Sequence, residues 1–101
     1  MLSDHSEIEL RLTVDANVVS VSGEIDMDSV GLLRAALIDA AGAGPDGVVI
    51  DMAQVTFMDS TGLRELLDFR QQGHQLAVTK PSETVLKLMR LTATAPLFGL
   101  E

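Results

Sequence analysis

DGVVIDMAQVTFMDSTGLRELLDF, the sequence from Asp46 to Phe69, changes its hydrophobic period part of the way along. The apolar run Val48–Ile50 indicates a buried strand, and a short polar turn and a second apolar group at 55–58 come after it. Beyond the tight Asp59–Gly62 segment, apolar side chains recur three and four residues apart, which is the spacing of an amphipathic helix. The helical set consists of Leu63, Leu66 and Leu67, with Arg70 at the next position of the pattern. The stretch therefore predicts a strand that leads through an exposed turn into a helix, with Ser60 at the junction.

The residues before this stretch predict a hairpin and a helix. Apolar and polar residues alternate from 8 to 14, which indicates a half-buried strand, and 18–23 indicates a second one. Because only Asp15–Asn17 connects them, the two strands are expected to pair antiparallel. A helix follows, for which Asp26 or Asp28 is expected to act as the N-cap. Its predicted apolar face comprises Val30, Leu33, Leu37 and Ala40, supported by Ala36 and Ala41.

The residues after the stretch predict one more strand and one more helix. Gly73 is expected to end the second helix, and 75–79 then indicates a fourth strand, short and central in character. Ser82 can cap a third helix after Lys80-Pro81 breaks the strand. The apolar residues of that helix are Val85, Leu86, Leu88 and Met89. Leu97-Phe98 is a candidate for a last short strand.

Strands that alternate with helices favour parallel pairing through right-handed crossovers. We therefore expect residues 1–101 to form a single α/β domain, with residues 1–6 flexible. Its sheet should be mixed, with four or five strands, an N-terminal antiparallel hairpin and three or more packed helices.

Composition limits the partners that this chain can have. With 15 acidic against 7 basic residues, the net charge is -8, a field that repels a phosphate backbone and attracts a basic protein surface. We therefore expect no direct contact with nucleic acid. The chain has no cysteine, no secretory signal pattern and no apolar run long enough for a membrane helix. These features predict a cytoplasmic domain that does not insert into a membrane.

The sequence does not favour catalysis. Met58-Asp59-Ser60-Thr61-Gly62 is not a nucleophile elbow, because methionine stands where that motif has its first glycine. The only histidines are His5, near the start, and His74, beyond the far end of the second helix. No glycine-rich phosphate loop or metal-spaced cluster is present, and the acidic run at 24–28 is more typical of a solvated turn than of a cation site. We expect no enzyme activity, no cofactor and no metal.

Ser60 allows two interpretations at this point. A hydroxyl at a helix start can simply cap the helix, as Asp59 or Thr61 could also do. Alternatively, Ser60 can be phosphorylated, which would add about -1.5 to -2 charges beside Asp59. If the strands before Asp26 and Ser60 run parallel, both turns lie at the same edge of the sheet, and the phosphate would also lie near Asp26.

Two motifs carry a resemblance to a known family. With GEID at Gly23–Asp26 and VVIDMAQVTFMDSTGL at Val48–Leu63, the chain resembles a STAS domain, and more narrowly the bacterial anti-sigma factor antagonists. The resemblance implies that Ser60, with Thr61 as second choice, is phosphorylated by an anti-sigma factor that is itself a serine kinase. It also implies that the unphosphorylated chain binds this partner and releases the sigma factor, and that a serine phosphatase restores the binding form.

The resemblance and the predicted turns together define a partner-binding surface. The aspartate of the GEID motif, Asp26, corresponds to a family residue close to the serine. Arg64, Glu65 and Asp68 are expected to face outward from the second helix. The full predicted set is Asp26, Asp28, Asp59, Ser60, Thr61, Gly62, Arg64, Glu65 and Asp68.

Two departures from the family pattern affect these expectations. Family members usually continue into a C-terminal helix, which is absent before the last residue, Glu101. The segment Leu91–Pro96 also lacks the Gly-Leu that is usual after the third helix. A sheet that is less well covered favours weak self-association. The alternative function is that of a STAS subunit with a structural binding role in a lipid- or anion-transport complex.

Overall fold

The computed structural model describes residues 10–101, which form one mixed sheet with helices. In chain order the elements are β1 (Arg11–Asp15), β2 (Val18–Ile25), α1 (Val30–Ala41), β3 (Val48–Met58), α2 (Ser60–Gln71), β4 (Leu76–Thr79), α3 (Glu83–Leu91) and a 3₁₀ helix (Ala95–Phe98). The sheet has four strands in the order β1-β2-β3-β4. The predicted α/β class, the single domain and the strand count agree with this architecture. The expected start of the first strand at residue 8 and the expected flexibility of 1–6 lie outside the described residues.

The N-terminal hairpin is present as predicted. β1 and β2 pair antiparallel from Arg11 opposite Ser22 to Asp15 opposite Val18, and Ala16 in the connecting turn adopts a left-handed conformation with φ of 54°. β2 then pairs with β3 and β3 with β4, both in parallel. This arrangement aligns the C-terminal ends of β2 and β3 at one edge of the sheet.

β3 is a single strand of 11 residues, so the polar turn expected after Ile50 is wrong. β2 pairs with both halves of β3. The pairing between them has two register shifts, one between Ser20 and Ser22 and one between Gly23 and Glu24. The polar side chain of Asp51 accepts a hydrogen bond from the Ala53 backbone N–H at 3.0 Å. Backbone pairing to a long neighbour therefore keeps the strand continuous where the local sequence suggests a turn.

Two expectations near the C-terminus are also wrong. Residues 95–98 form a 3₁₀ helix instead of a strand, and Pro96 lies in its first turn, where its missing backbone N–H costs no ladder hydrogen bond. β4 is an edge strand of the described sheet, not a central one. Its burial alternates between buried Leu76 and Val78 and exposed Ala77 and Thr79, the pattern of a strand with one covered face.

The helices cover one face of the sheet. α1 packs on β1 and β2 and against α2, α2 packs on β3 and β4, and α3 packs on β3. The largest fully buried side chains are Phe98, Ile25, Leu33, Leu37, Ile50, Met52, Leu66, Met89, Val19 and Val85. Leu86 and Leu88, expected in the core, are half-buried. This mostly aliphatic core includes the last residues of β2 and β3, Ile25 and Met58, and so holds the ends of the two strands in place.

The other face of the sheet is largely exposed. A polar row crosses all four strands there, in which Thr13 lies opposite Ser20, Ser20 opposite Asp51 and Asp51 opposite Thr79. Thr13, Ser20 and Thr79 are exposed, and Asp51 is half-buried.

The expected weak self-association stays a prediction. Among the described residues, no helix is long and apolar enough to cross a membrane.

Candidate functional site

The candidate site lies where β2 and β3 end side by side. Ile25 pairs with Met58 at the last position of the ladder, and the Asp59 backbone N–H donates to the Ile25 carbonyl at 3.2 Å. Asp26 and Asp59 are therefore the first residues beyond two adjacent parallel strands. The edge shared by the two turns, which is expected only if the strands are parallel, is present in the structure.

Asp59 caps α2, which removes the interpretation of Ser60 as the capping residue. The Asp59 carboxylate accepts hydrogen bonds from the Thr61 N–H at 2.9 Å and the Gly62 N–H at 3.4 Å. Such a cap satisfies two of the donors that a helix leaves free at its start. Ser60 is the first residue of α2, and its side chain takes no part in this cap.

The two hydroxyls of this turn differ in their availability. Ser60 is exposed, and its hydroxyl makes no hydrogen bond to any residue in 10–101. Thr61 is half-buried, and its hydroxyl donates a hydrogen bond to the Asp59 carboxylate. A kinase can therefore reach the Ser60 oxygen without breaking a hydrogen bond within residues 10–101. The Thr61 hydroxyl would first have to lose its hydrogen bond to Asp59.

Gly62 is buried, which contradicts its predicted place on the partner-binding surface. A Cβ added at Gly62 would lie 2.6 Å from Ile25 Cγ2 and 2.9 Å from Met58 Cγ. Only a residue without a side chain lets the start of α2 approach the ends of β2 and β3 this closely. Gly62 therefore allows the close packing that places the start of α2 against the ends of β2 and β3.

Glu65 is also buried, so the expectation that it faces outward is wrong. Only 8% of its surface is exposed, and its Oε1 accepts from Arg34 Nε at 3.0 Å and Nη2 at 2.7 Å. The hydrogen bond to Glu65 and the charge of that carboxylate raise the pKa of the Arg34 guanidinium above its ordinary value. The pair joins α1 to the helix that carries Ser60.

Three of the remaining predicted residues lie on the outward face of α2. Ser60, Arg64 and Asp68 are exposed and follow one another at intervals of four, so they form one row along the helix. The apolar pattern predicts Arg70 as the next residue on the buried face of α2. In the structure that place is taken by Phe69, which is 3% exposed. The Phe69 ring stacks on His74 with 4.2 Å between centroids, which places that imidazole at the opposite end of α2 from Ser60.

The Asp26 turn is held by its own side chains. Asp26 Oδ1 accepts from the Asp28 N–H at 3.0 Å and the Ser29 N–H at 3.1 Å, and the Ser29 hydroxyl donates to the Glu24 carbonyl at 3.0 Å. The N-cap of α1 is Ser29 rather than Asp26 or Asp28, although its side chain makes no capping bond to the helix. Asp28 remains exposed. Within residues 10–101, no group of three possible metal ligands is present.

Two exposed apolar residues, one beside each of the Asp26 and Asp59 turns, are missing from the predicted site. Met27 directly follows Asp26 and is 73% exposed, and Phe57 precedes Met58 in β3 and is 45% exposed. Phe57 belongs to an apolar group that suggests core, and its exposure follows from the irregular pairing of β3. The sequence signal that could have identified Met27 is a methionine between two aspartates in a predicted turn, where exposure of its apolar side chain is expected.

These features leave the Ser60 hydroxyl accessible at an acidic edge of the sheet. Within the described residues, the Ser60 hydroxyl has no imidazole, lysine or carboxylate as a hydrogen-bond partner that could act as its base. The carboxylates of Asp26, Asp28 and Asp59 instead give this edge a negative potential. A hydroxyl that is exposed, held on a rigid helix start and surrounded by acids can accept a phosphoryl group that changes the local charge.

A mixed sheet with an N-terminal hairpin, three helices and an Asp-Ser-Thr-Gly turn between β3 and α2 defines a STAS-type domain. The family model described as "Mlab, STAS domain" matches residues 8–97. The chain belongs to the STAS domain family.

Proteins similar to this chain include anti-sigma factor antagonists. The chain is 35% identical over 78 residues to the anti-sigma-B factor antagonist of Bacillus subtilis (strain 168), a match that covers 73% of this chain and 71% of that protein. It is 29% identical to an anti-sigma factor antagonist from Mycobacterium paratuberculosis of known structure, with a TM-score of 0.76 over 98% of this chain and 89% of the other. The fold also resembles the antagonist SpoIIAA in its unphosphorylated form, with a TM-score of 0.64, 24% identity and coverage of 87% and 84%.

Proposed function

We propose that this chain is an anti-sigma factor antagonist whose partner binding is controlled at Ser60. In the unphosphorylated state it binds an anti-sigma factor with serine kinase activity, and the sigma factor is released. Phosphorylation of Ser60 ends this binding, and a serine phosphatase restores it. The chain itself performs no catalysis in this scheme, and because it acts on transcription it works in the cytoplasm.

The observation that carries the proposal is the exposed hydroxyl of Ser60, which makes no hydrogen bond to any residue between 10 and 101. Its neighbour Thr61 is bound to Asp59, whereas Ser60 is exposed at the first position of α2. The antagonist named for its action on anti-sigma-B shares 35% identity with this chain, which supports the same class of partner.

The physical basis of the switch is the charge already present at this edge. A phosphate brings about -1.5 to -2 charges next to Asp59, which lies beside Asp26 at the ends of the adjacent strands. Two unit charges 4 Å apart interact by about 4 kcal/mol at an effective dielectric constant of 20. A partner that closes over a neutral serine would have to desolvate this added charge and accommodate its volume. Binding of the phosphorylated form is therefore unfavourable.

A second candidate function remains, because the matching family model is described by Mlab and not by an antagonist. In that case the chain is a STAS subunit with a structural binding role in a lipid- or anion-transport complex. The Ser60 turn would then be a constant contact that requires no modification. A pull-down that recovers a transporter ATPase in place of a kinase supports this role.

Incubation with the cognate anti-sigma kinase and ATP, followed by mass spectrometry, tests the proposal. We expect one phosphate on Ser60 and none on the Ser60→Ala variant. The Ser60→Ala variant should bind the anti-sigma factor, and Ser60→Asp should not. Phosphate on Thr61 alone, or equal binding of the two variants, would show that Ser60 is not the switch.

A further inference from the structure

The row Ser60, Arg64 and Asp68 carries an inference about the phosphorylated state, and it rests on the proposed function. We propose that Arg64 is the counter-ion that a phosphate on Ser60 acquires within its own chain. Arg64 would then bind the phosphate by charge-assisted hydrogen bonds, in addition to any contact it makes with a partner protein.

The position of Arg64 on α2 brings it within reach. Ser60 and Arg64 are four residues apart on a continuous helix, and both are exposed. Residues at this spacing have Cβ atoms about 5–6 Å apart on the same helix face. The planar guanidinium can then donate two parallel hydrogen bonds to phosphate oxygens.

Arg64 is uncommitted in the described structure. It makes no ion pair or side-chain hydrogen bond with any residue in 10–101, whereas Arg34 is bound to Glu65. Asp68 lies one turn beyond Arg64, but an acid that precedes its base by four residues interacts better than one that follows it. A phosphate on Ser60 has the favourable order, and Asp68 has the unfavourable one.

The surroundings of Ser60 offer a phosphate few other positive groups. The backbone N–H groups of Thr61 and Gly62 are already taken by Asp59, so the start of α2 offers the phosphate fewer free donors. The charged residues near this end of α2, on it and on the elements packed against it, are Glu24, Asp26, Asp28, Arg34, Asp59, Arg64, Glu65 and Asp68. Of these, the only basic side chains are Arg34, which Glu65 holds, and Arg64.

Titration of phosphoserine at position 60 by ³¹P NMR tests this proposal. Phosphoserine is incorporated during translation, so the measurement needs neither the kinase nor the anti-sigma factor. Because an exposed ion pair at this spacing stabilises the phosphate dianion only modestly, Arg64→Gln should raise the second pKa of the phosphate by about 0.2 to 0.4. Arg64→Lys should raise it less, and 1 M salt should remove most of the difference, since the Debye length is then about 3 Å.

Arg70→Gln is the matched control. Arg70 is exposed on the same helix but ten residues from Ser60, about 15 Å along the axis. A rise in the phosphate pKa for Arg64→Gln alone supports the proposal. No rise, or the same rise for both variants, overturns it by showing that Arg64 does not bind the phosphate. Failure of a kinase to modify Ser60 would instead refute the proposed function and would leave the titration result unchanged.

Discussion

Substitution of Gly62 by alanine tests whether close contact between α2 and the sheet positions Ser60. The new Cβ would lie 2.6 Å from Ile25 Cγ2, 2.9 Å from Met58 Cγ and 3.3 Å from Met58 Sδ. Ile25 is fully buried and Met58 is 4% exposed, so neither can move away freely. Overpacking of this kind costs about 1–3 kcal/mol, and the better helix propensity of alanine offsets about 1 kcal/mol of it. We expect a net loss of about 1 kcal/mol in the free energy of unfolding, the middle of a range of about 0–2 kcal/mol.

Thermal unfolding measures this loss, and Gly31→Ala is its control. Gly31 lies in the first turn of α1, as Gly62 does in α2, but a Cβ there has nothing within 4 Å. For a domain of this size, about 1 kcal/mol corresponds to 4–8 °C in Tm. Gly62→Ala should therefore lower Tm by about 4–8 °C, and Gly31→Ala should leave it unchanged or raise it. Equal Tm values for the two variants would refute the close contact that we assign to Gly62.

Two further predictions concern the contacts around the serine. Asp59→Ala removes the cap of α2 and should destabilise the protein by about 1 kcal/mol, whereas Asp59→Asn should retain most of the stability; an equal loss in urea unfolding would contradict the capping role. Arg34→Ala leaves the buried Glu65 carboxylate without its partner and should lower the urea midpoint more than Glu65→Gln, which removes the charge itself. The reverse order would show that the ion pair does not connect α1 to α2.

Periodic patterns were sufficient to predict the order of the elements and the place of Ser60. The period changes from strand to helix at Asp59, and the parallel direction of β2 and β3 brings Asp26 to the same edge. These features depend on neighbours in the sequence or on the general handedness of α/β connections. For that reason they can be derived before any contact is known.

The features that could not be predicted depend on distant residues. Glu65 looks like an exposed helical residue, but it is buried because Arg34, 31 positions earlier, lies on the helix packed against it. From the sequence, Gly62 looks like a residue of an exposed turn. In the structure it is needed because a side chain there would collide with Ile25 of β2. The continuity of β3 through Asp51 likewise depends on β2, which pairs along nearly its whole length.

The most direct test of the central claim compares two forms of the same chain. Calorimetric titration would measure the affinity of the cognate anti-sigma factor for the unmodified protein and for the protein with phosphoserine at position 60. We predict that the unmodified form binds and that the phosphorylated form binds at least tenfold more weakly, a difference of about 1.4 kcal/mol or more. Equal affinity of the two forms would contradict the claim that Ser60 controls partner binding.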